Sequence, residues 1–360
     1  MRCCIECIKD SEIKGIVNSD PNHIIGTCDF CGGTQRLLID TEENEWISEM
    51  IGRVLDVYTP ISNLSDSFPK EKTGFIGDVL SQNWNIFNLN GNQIQRFVKA
   101  ICRERYEEQP ELFEMPVGIE EMCHDDYLNR HSILRTYQWD DFVKGIKEVN
   151  RFHSGYINKD VLSIFLQCAV KKHNKGEVLY RARICSNGKK YKVGEMGAPP
   201  IGISRSGRVN PVGISVLYLS DSKATTLYEV RAGVYDYITI GSFKLLEELR
   251  VINLAMIDQI SPFIGERFGF DMTEYAINLE HLRMIAHEIA KPMRNDGALD
   301  YLPTQYISEF IKSKCYDGIE YASTVHMGGL NLAVFDEKKL KCTYTRMYDV
   351  KKIHYNYVAV

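Results

Sequence analysis

Two pairs of closely spaced cysteines, Cys4-Ile-Glu-Cys7 and Cys28-Asp-Phe-Cys31, stand near the start of the chain with twenty residues between them. Each C-x2-C step closes a knuckle that offers two thiolates, and two knuckles together meet the tetrahedral preference of zinc. Gly32-Gly33 eases the turn after the second knuckle. Free thiols, or a redox pair in one knuckle alone, account less well for both pairs at this spacing. Cys3 and His23 are spare ligands that could replace one of the four. Four protein ligands leave no open position, so the ion expected here is structural rather than catalytic. Zinc ribbons also bind nucleic acid or protein partners, and that role stays open for this region.

Five of the eleven cysteines precede residue 32; Cys102, Cys123, Cys168, Cys185, Cys315 and Cys342 are scattered and read as ordinary thiols. The start, Met1-Arg2-Cys3-Cys4, lacks the apolar stretch of a secretory leader, so a reducing, cytoplasmic setting is expected. No apolar run approaches the ~18 residues that span a bilayer, so no membrane association is expected. A formal net charge of −5 supplies no global basic footprint, so nothing in the charge argues for a nucleic-acid partner outside the zinc module.

The 360 residues suggest several domains. We expect a zinc-knuckle module over 1–38, a mostly helical domain over 39–172, a catalytic domain over 177–336 and an extension over 337–360. Trp46, Ile47, Met50, Ile51, Val54 and Leu55 recur at helical spacing, as do Phe142, Val143, Ile146 and Val149 behind a cap at Asp140 or Asp141. A further helix is predicted over 159–171, and 171–176 reads as a polar linker. Beyond Leu179 short β-type runs take over, at 179–184, 215–219, 236–240 and 331–335, interrupted by helices over 273–290 and 303–314. Strands and helices without a regular βαβ repeat predict an α+β fold with a mixed sheet.

The chemistry concentrates in Tyr180-Arg181-Ala-Arg183, Gly207-Arg208-Val209-Asn210-Pro211, Tyr218-Leu-Ser220-Asp221-Ser222 and Tyr228-Glu229-Val-Arg231. Val216 to Leu219 reads as a strand that delivers Tyr218, and Ser220 to Ser222 are capping residues for a helix that follows. Glu229 lies on that helix among Leu227, Val230 and Val234, which predicts a partly buried carboxylate near arginines and a tyrosine. Taken singly, each residue has a structural explanation. Arg181 and Arg183 alternate as on a half-solvated strand, Tyr218 sits in an apolar run, Glu229 could pair with Arg231, and 207–211 could be only a turn. His281 and His287 lie six residues apart on different helix faces, which argues against a metal site there. No arginine precedes a histidine at the R-x4-6-H spacing of HEPN-type ribonucleases.

The order of these motifs resembles the RES domain, named for its Arg, Glu and Ser residues. The resemblance continues through Pro303-Thr304-Gln305, Asp317-Gly318-Ile319-x-Tyr321-x-Ser323 and Gly329-x-Asn331 up to Phe335, about 160 residues in all. It implies a fold related to diphtheria-toxin-like ADP-ribosyltransferases and an NAD-consuming activity. It also implies the toxic member of a toxin–antitoxin or defence pair with an Xre-like antitoxin. Arg181, Tyr218, Glu229 and Ser323 match the family's active-site positions, and Arg208 and Asn210 stand in its Gly-Arg-x-Asn turn. Val209 departs from the aromatic residue many members carry there, which bears on pocket shape.

Cleavage of the nicotinamide–ribose bond develops positive charge on the ribose, and a fixed carboxylate stabilises it, the role assigned to Glu229. Guanidinium forks recognise a pyrophosphate, with Arg181 the first candidate and Arg208 the second. Tyr218 would stack on nicotinamide, while Asn210 and Ser323 would contact the ligand. Water as acceptor makes the enzyme an NAD glycohydrolase, and phosphate makes it a phosphorylase. A protein side chain makes it a mono-ADP-ribosyltransferase. A zinc-ribbon adaptor whose RES domain only binds nucleotide is the alternative from another class.

Overall fold

The computed structural model describes residues 1–22, 24–42, 44–186, 188–291 and 299–353. His23, the spare ligand, lies outside them, as do residues 354–360 of the expected extension. The chain forms two interleaved compact units. One comprises Met1–Trp139, Gly155–Phe165 and Asp258–Leu282; the other comprises Asp140–Ser154, Leu166–Ile257 and Arg283–Val360.

In the first unit, β1 (Arg2–Cys4), β2 (Ile24–Gly26) and β3 (Arg36–Asp40) form an antiparallel sheet in the order β1-β3-β2. A short ribbon pairs β4 (Thr59–Pro60) with β5 (Val117–Gly118). Helices supply the rest. The segment Glu45–Leu55 buries Ile47, Met50, Ile51, Val54 and Leu55, the stripe its sequence predicts. The helix Gly91–Ile101 begins at a capping box made by Asn90 and Gln93. Its Phe97 meets Phe30 and Phe87 edge-on at 5.6 and 5.5 Å, and Gln93 donates to the Phe30 carbonyl. The cysteine ribbon is therefore stitched to the helices by aromatic packing rather than hung on a tether.

The second unit is built on an eight-stranded mixed sheet. Its strands are β6 (Val170–His173), β7 (Val178–Ile184), β8 (Leu217–Ser220), β9 (Tyr237–Leu245), β10 (Leu249–Asn253), β11 (Gly318–Ala322), β12 (Leu330–Val334) and β13 (Leu340–Asp349). The order is β13-β9-β7-β8-β12-β11-β10-β6, antiparallel throughout except for the parallel pair β10/β11. Side-chain alternation sends Leu179, Leu217, Leu219, Leu332 and Val334 into the main core on one face. On the other face Ala182, Ile238 and Ile240 pack with Tyr180, Leu227 and Val230.

Three segments differ from expectation. The helix predicted over 159–171 stops at Cys168, and the first half of the polar stretch read as a linker, 171–173, belongs to the edge strand β6. Its lysine and histidine side chains are not waiting for solvent: Lys171 and His173 both bond Glu320 of β11. The stretch expected as an extension supplies β13, which pairs with β9 along nearly its whole length. In the first unit, burial pushes the His281 pKa down to about 4, so its imidazole is neutral and bonds Ser132.

Candidate active site

β7 and β8 are neighbours in the sheet but pair at a single position, Tyr180 opposite Ser220, whereas β7 pairs with β9 along seven residues. Beyond that point the two strands splay. The gap opens a crevice of about 270 Å³ whose walls include Tyr180, Arg181, Tyr218, Glu229, Tyr321 and Asn331. A larger cavity, about 900 Å³, lies in the first unit among Glu42, Glu45, Glu49, Glu104 and Glu108. It contains none of the residues that sequence singles out for NAD chemistry. Size is the wrong criterion here, and the convergence of unlike polar groups favours the smaller crevice.

Glu229 ends the helix Lys223–Glu229, which starts at the expected cap: the Ser222 hydroxyl accepts from the Thr225 amide. The left-handed backbone of Arg231, φ 50°, turns the chain away directly afterwards. A carboxylate at a helix C-terminus opposes the macrodipole, so its position needs external donors. Two are present on one oxygen. The Ser323 hydroxyl donates to Oε1 at 2.7 Å and the Asn331 amide donates to the same atom at 2.6 Å. Contrary to the expectation of partial burial, Glu229 is exposed, because its helix ends at the crevice instead of running on through Val234.

Arg181 enters the crevice from β7. Its guanidinium donates to the Gly197 carbonyl at 3.0 Å, and Arg183 donates to the same oxygen. Burial, with Arg183 alongside, lowers the Arg181 pKa to about 10, so the side chain is still cationic at neutral pH. A cation this desolvated favours an anionic neighbour. Tyr218 presents its ring, while its hydroxyl is engaged behind the wall, donating to Asn210 Oδ1 at 2.7 Å and accepting from the Val209 amide. Burial pushes the Tyr218 phenol pKa up, keeping it protonated.

The Gly-Arg-x-Asn turn is placed differently from these three. Arg208 donates to the carbonyls of Ile289 and Lys291, satisfying the orphan acceptors at the end of the helix Met272–Ala290. Its guanidinium also lies over the Tyr321 ring, 5.6 Å from the centroid. Asn210, 2% exposed, spends its amide on Ser204 and on the carbonyls of Arg205, Pro211 and Ile214. Gln305 clamps the same turn through the Gly207 and Asn210 carbonyls. A Cβ at Gly207 would lie 2.6 Å from Asn210 Oδ1 and 2.7 Å from the Tyr218 hydroxyl, so only glycine fits.

The crevice thus gathers Arg181, Tyr218 and Glu229, with Ser323 bonded to Glu229. Arg208 and Asn210 build the wall behind. Sequence reasoning gave no catalytic or ligand-binding role to Tyr180, Tyr321 or Asn331, and read Ser220 only as a capping residue. Asn331 carried a readable signal, being a polar residue flanked by Leu330 and Leu332 in a strand whose neighbours are apolar.

The four knuckle cysteines form a second constellation. Their Sγ atoms all lie within 4.8 Å of one another, with Cys4–Cys7, Cys4–Cys31 and Cys7–Cys28 at 3.6, 3.5 and 3.8 Å. A tetrahedron with Zn–S bonds of about 2.3 Å has edges of about 3.8 Å, so the donor set fits zinc. Amides of Cys4 and Phe30 donate to Cys28 Sγ, as thiolate ligands require, and Gly32 turns the knuckle with φ 71°. Cys3 is buried and is not part of this group.

Residues 178–351 match the family model of the RES domain. The chain carries a RES domain. No curated protein matches it. Among solved structures it is similar to the crystal structure of the M. tuberculosis MbcT–MbcA toxin–antitoxin complex, with 14% identity and a TM-score of 0.29, covering 52% of this chain and 92% of that one. Among the described residues, no helix is long and apolar enough to cross a membrane.

The RES sheet holds a further polar group on the face opposite the crevice. Glu320, 3% exposed, accepts from Lys171 Nζ at 2.6 Å and from His173 Nε2 at 2.9 Å, and His173 Nδ1 meets Glu177 at 2.9 Å. An imidazole facing carboxylates through both nitrogens is a double donor, hence cationic. Its bond to Glu320 raises the His173 pKa. Burial alone would raise the Glu320 pKa, but the bonds from His173 and Lys171 hold it below the usual carboxylate value.

Proposed function

We propose that the RES domain is an NAD-consuming enzyme that binds NAD in the β7/β8 crevice and cleaves its nicotinamide–ribose bond. The observation that carries this reading is Glu229, exposed at the crevice with one carboxylate oxygen fixed by two donors. In this reading the fixed carboxylate stabilises the positive charge that develops on the ribose as nicotinamide leaves. Arg181 exchanges the Gly197 carbonyl for the pyrophosphate, a charge-assisted contact in place of a neutral one. The Tyr218 ring, with its hydroxyl tied back to Asn210, offers a flat wall for nicotinamide. Ser323 acts through Glu229. Arg208 and Asn210 serve the ligand by holding the Tyr218 wall.

Unchecked NAD loss stops growth, so we further infer a toxin restrained by an antitoxin partner. The ribbon cysteines bind zinc as a structural ion, and the first unit docks or regulates a partner. Purified protein incubated with NAD should release nicotinamide, and Glu229→Ala should not. No release by the wild type, or equal release by Glu229→Ala, rejects the reading. Chromatography of the products with and without phosphate separates hydrolysis from phosphorolysis, and mass spectrometry of added proteins reveals transfer to a side chain.

A further inference from the structure

Glu229 does not choose its own orientation. Its Oε1 accepts from Asn331 Nδ2, and Asn331 Oδ1 in turn accepts from the Ser220 hydroxyl at 2.7 Å. Asn331 and Ser220 are 5% and 4% exposed and lie opposite one another across β12 and β8. The direction of this chain is forced. A carboxylate only accepts, so Asn331 must turn its NH2 toward Glu229, and its carbonyl must then face Ser220, whose single O–H is the donor available. Two buried polar side chains in an otherwise apolar strand pair cost stability unless both are fully bonded, and Glu229 completes the set.

We propose that Ser220 and Asn331 are positioning residues that fix which oxygen of Glu229 faces the crevice. Asn331 and Ser323 together occupy Oε1, which leaves Oε2 for the reacting ribose. Ser220 also marks the one point where β7 and β8 pair, so the carboxylate is aligned from the rim of the opening it serves. This inference rests on the NAD-cleaving reading of the same site. Asn331 is a positioning residue because it reaches the reaction only through Glu229.

Asn331→Ala removes a hydrogen bond to a charged acceptor, so kcat should fall about 10- to 100-fold with KM within about twofold. Asn331→Asp is nearly isosteric and places a second carboxylate against Glu229. Its activity should be lost near neutral pH and return as the pH is lowered, because a proton shared by the two carboxyls restores a donor. Among the described residues, other charged or titratable groups about Glu229 include Tyr180 and Arg181 from β7, Tyr218 from β8, Tyr321 from β11, Tyr228 and Arg231 beside it in the chain, and His326 in the turn after Ser323, where it stacks on Tyr228. The wild type measured over the same pH series controls for them. Wild-type kcat in Asn331→Ala, or no acid recovery in a folded Asn331→Asp, overturns the proposal. Selective 15N-asparagine labelling gives a readout independent of turnover. The Asn331 side-chain amide signals, assigned by their loss in Asn331→Asp, should move in Glu229→Ala and in Ser220→Ala. If the wild type releases no nicotinamide yet these signals move, the NAD reading fails and the relay stands. Signals that stay still overturn the relay.

Discussion

Glu320→Gln tests the buried charge cluster that joins β6 to β11. Glu320 is 3% exposed and accepts two charge-assisted bonds, each worth ~1.5–3 kcal/mol when desolvated. Lys171 is 40% exposed and recovers hydration when released, so its bond contributes little. His173 is only 8% exposed, and the variant leaves it a neutral amide in place of one carboxylate, with Glu177, itself 40% exposed, as its remaining anionic partner. The net loss should therefore be about 2–3 kcal/mol, below the ~3–5 kcal/mol of a fully buried pair broken on one side. At ~2–4 °C per kcal/mol for a domain of this size, the RES unit should melt roughly 5–10 °C lower. The loss should also depend on pH. The folded-state pKa of His173 is raised, so its contribution is complete below the unfolded value of about 6.5 and disappears as pH rises through the folded value. The Glu320 pKa is lowered, so its contribution is present above the unfolded value of about 4.3 and disappears as pH falls through the folded one. Thermal unfolding of both proteins at about pH 5.5 and about pH 9 should show the difference between them shrinking at the higher pH. A difference that is constant, or that grows with pH, refutes a cationic His173 held by Glu320.

Tyr218→Phe leaves Asn210 Oδ1 and the Val209 amide without a partner behind the crevice wall, and should destabilise the RES unit by about 2–4 kcal/mol in urea titrations. Gly207→Ala drives a methyl against the same two polar groups, and should cost about 1–3 kcal/mol and lower nicotinamide release by displacing the Tyr218 wall. Arg181→Gln should weaken NAD binding about tenfold or more in calorimetry while leaving the melting temperature of the protein nearly unchanged. A strong chelator, or Cys28→Ser, should lower the unfolding transition of the first unit and release close to one zinc per chain by metal analysis.

What the sequence made legible was what local rules decide. β7, β8 and β12 announce themselves by alternation, and the helix Lys223–Glu229 by its Ser222 cap. The knuckle spacing led straight to four sulfurs within 4.8 Å of one another. β6 was not legible because Lys171 and His173 look like solvent-facing residues, and only the distant Glu320 gives both a partner and makes His173 an interior residue. β13 is an edge strand rich in polar and aromatic residues, composition that serves solvent as well as pairing. The end of the helix at Glu229 is not legible because nothing local betrays the left-handed turn at Arg231, where no glycine stands. Arg208 and Asn210 have the residue types of ligand contacts, and only tertiary structure reveals the carbonyls within the protein that they bond.

The single pairing between β7 and β8 divides the sheet's work between two groups of strands. Arg181 belongs to the strand group β13-β9-β7, and the carboxylate machinery of Ser220, Asn331 and Ser323 belongs to β8, β12 and the turn following β11. On the proposed NAD-cleaving reading, substitutions on the outer group retune which anionic tail is gripped without disturbing the group assigned to bond cleavage. A chain organised this way can change its substrate by drift on one side of a seam, and the seam itself tells an engineer where to cut and recombine.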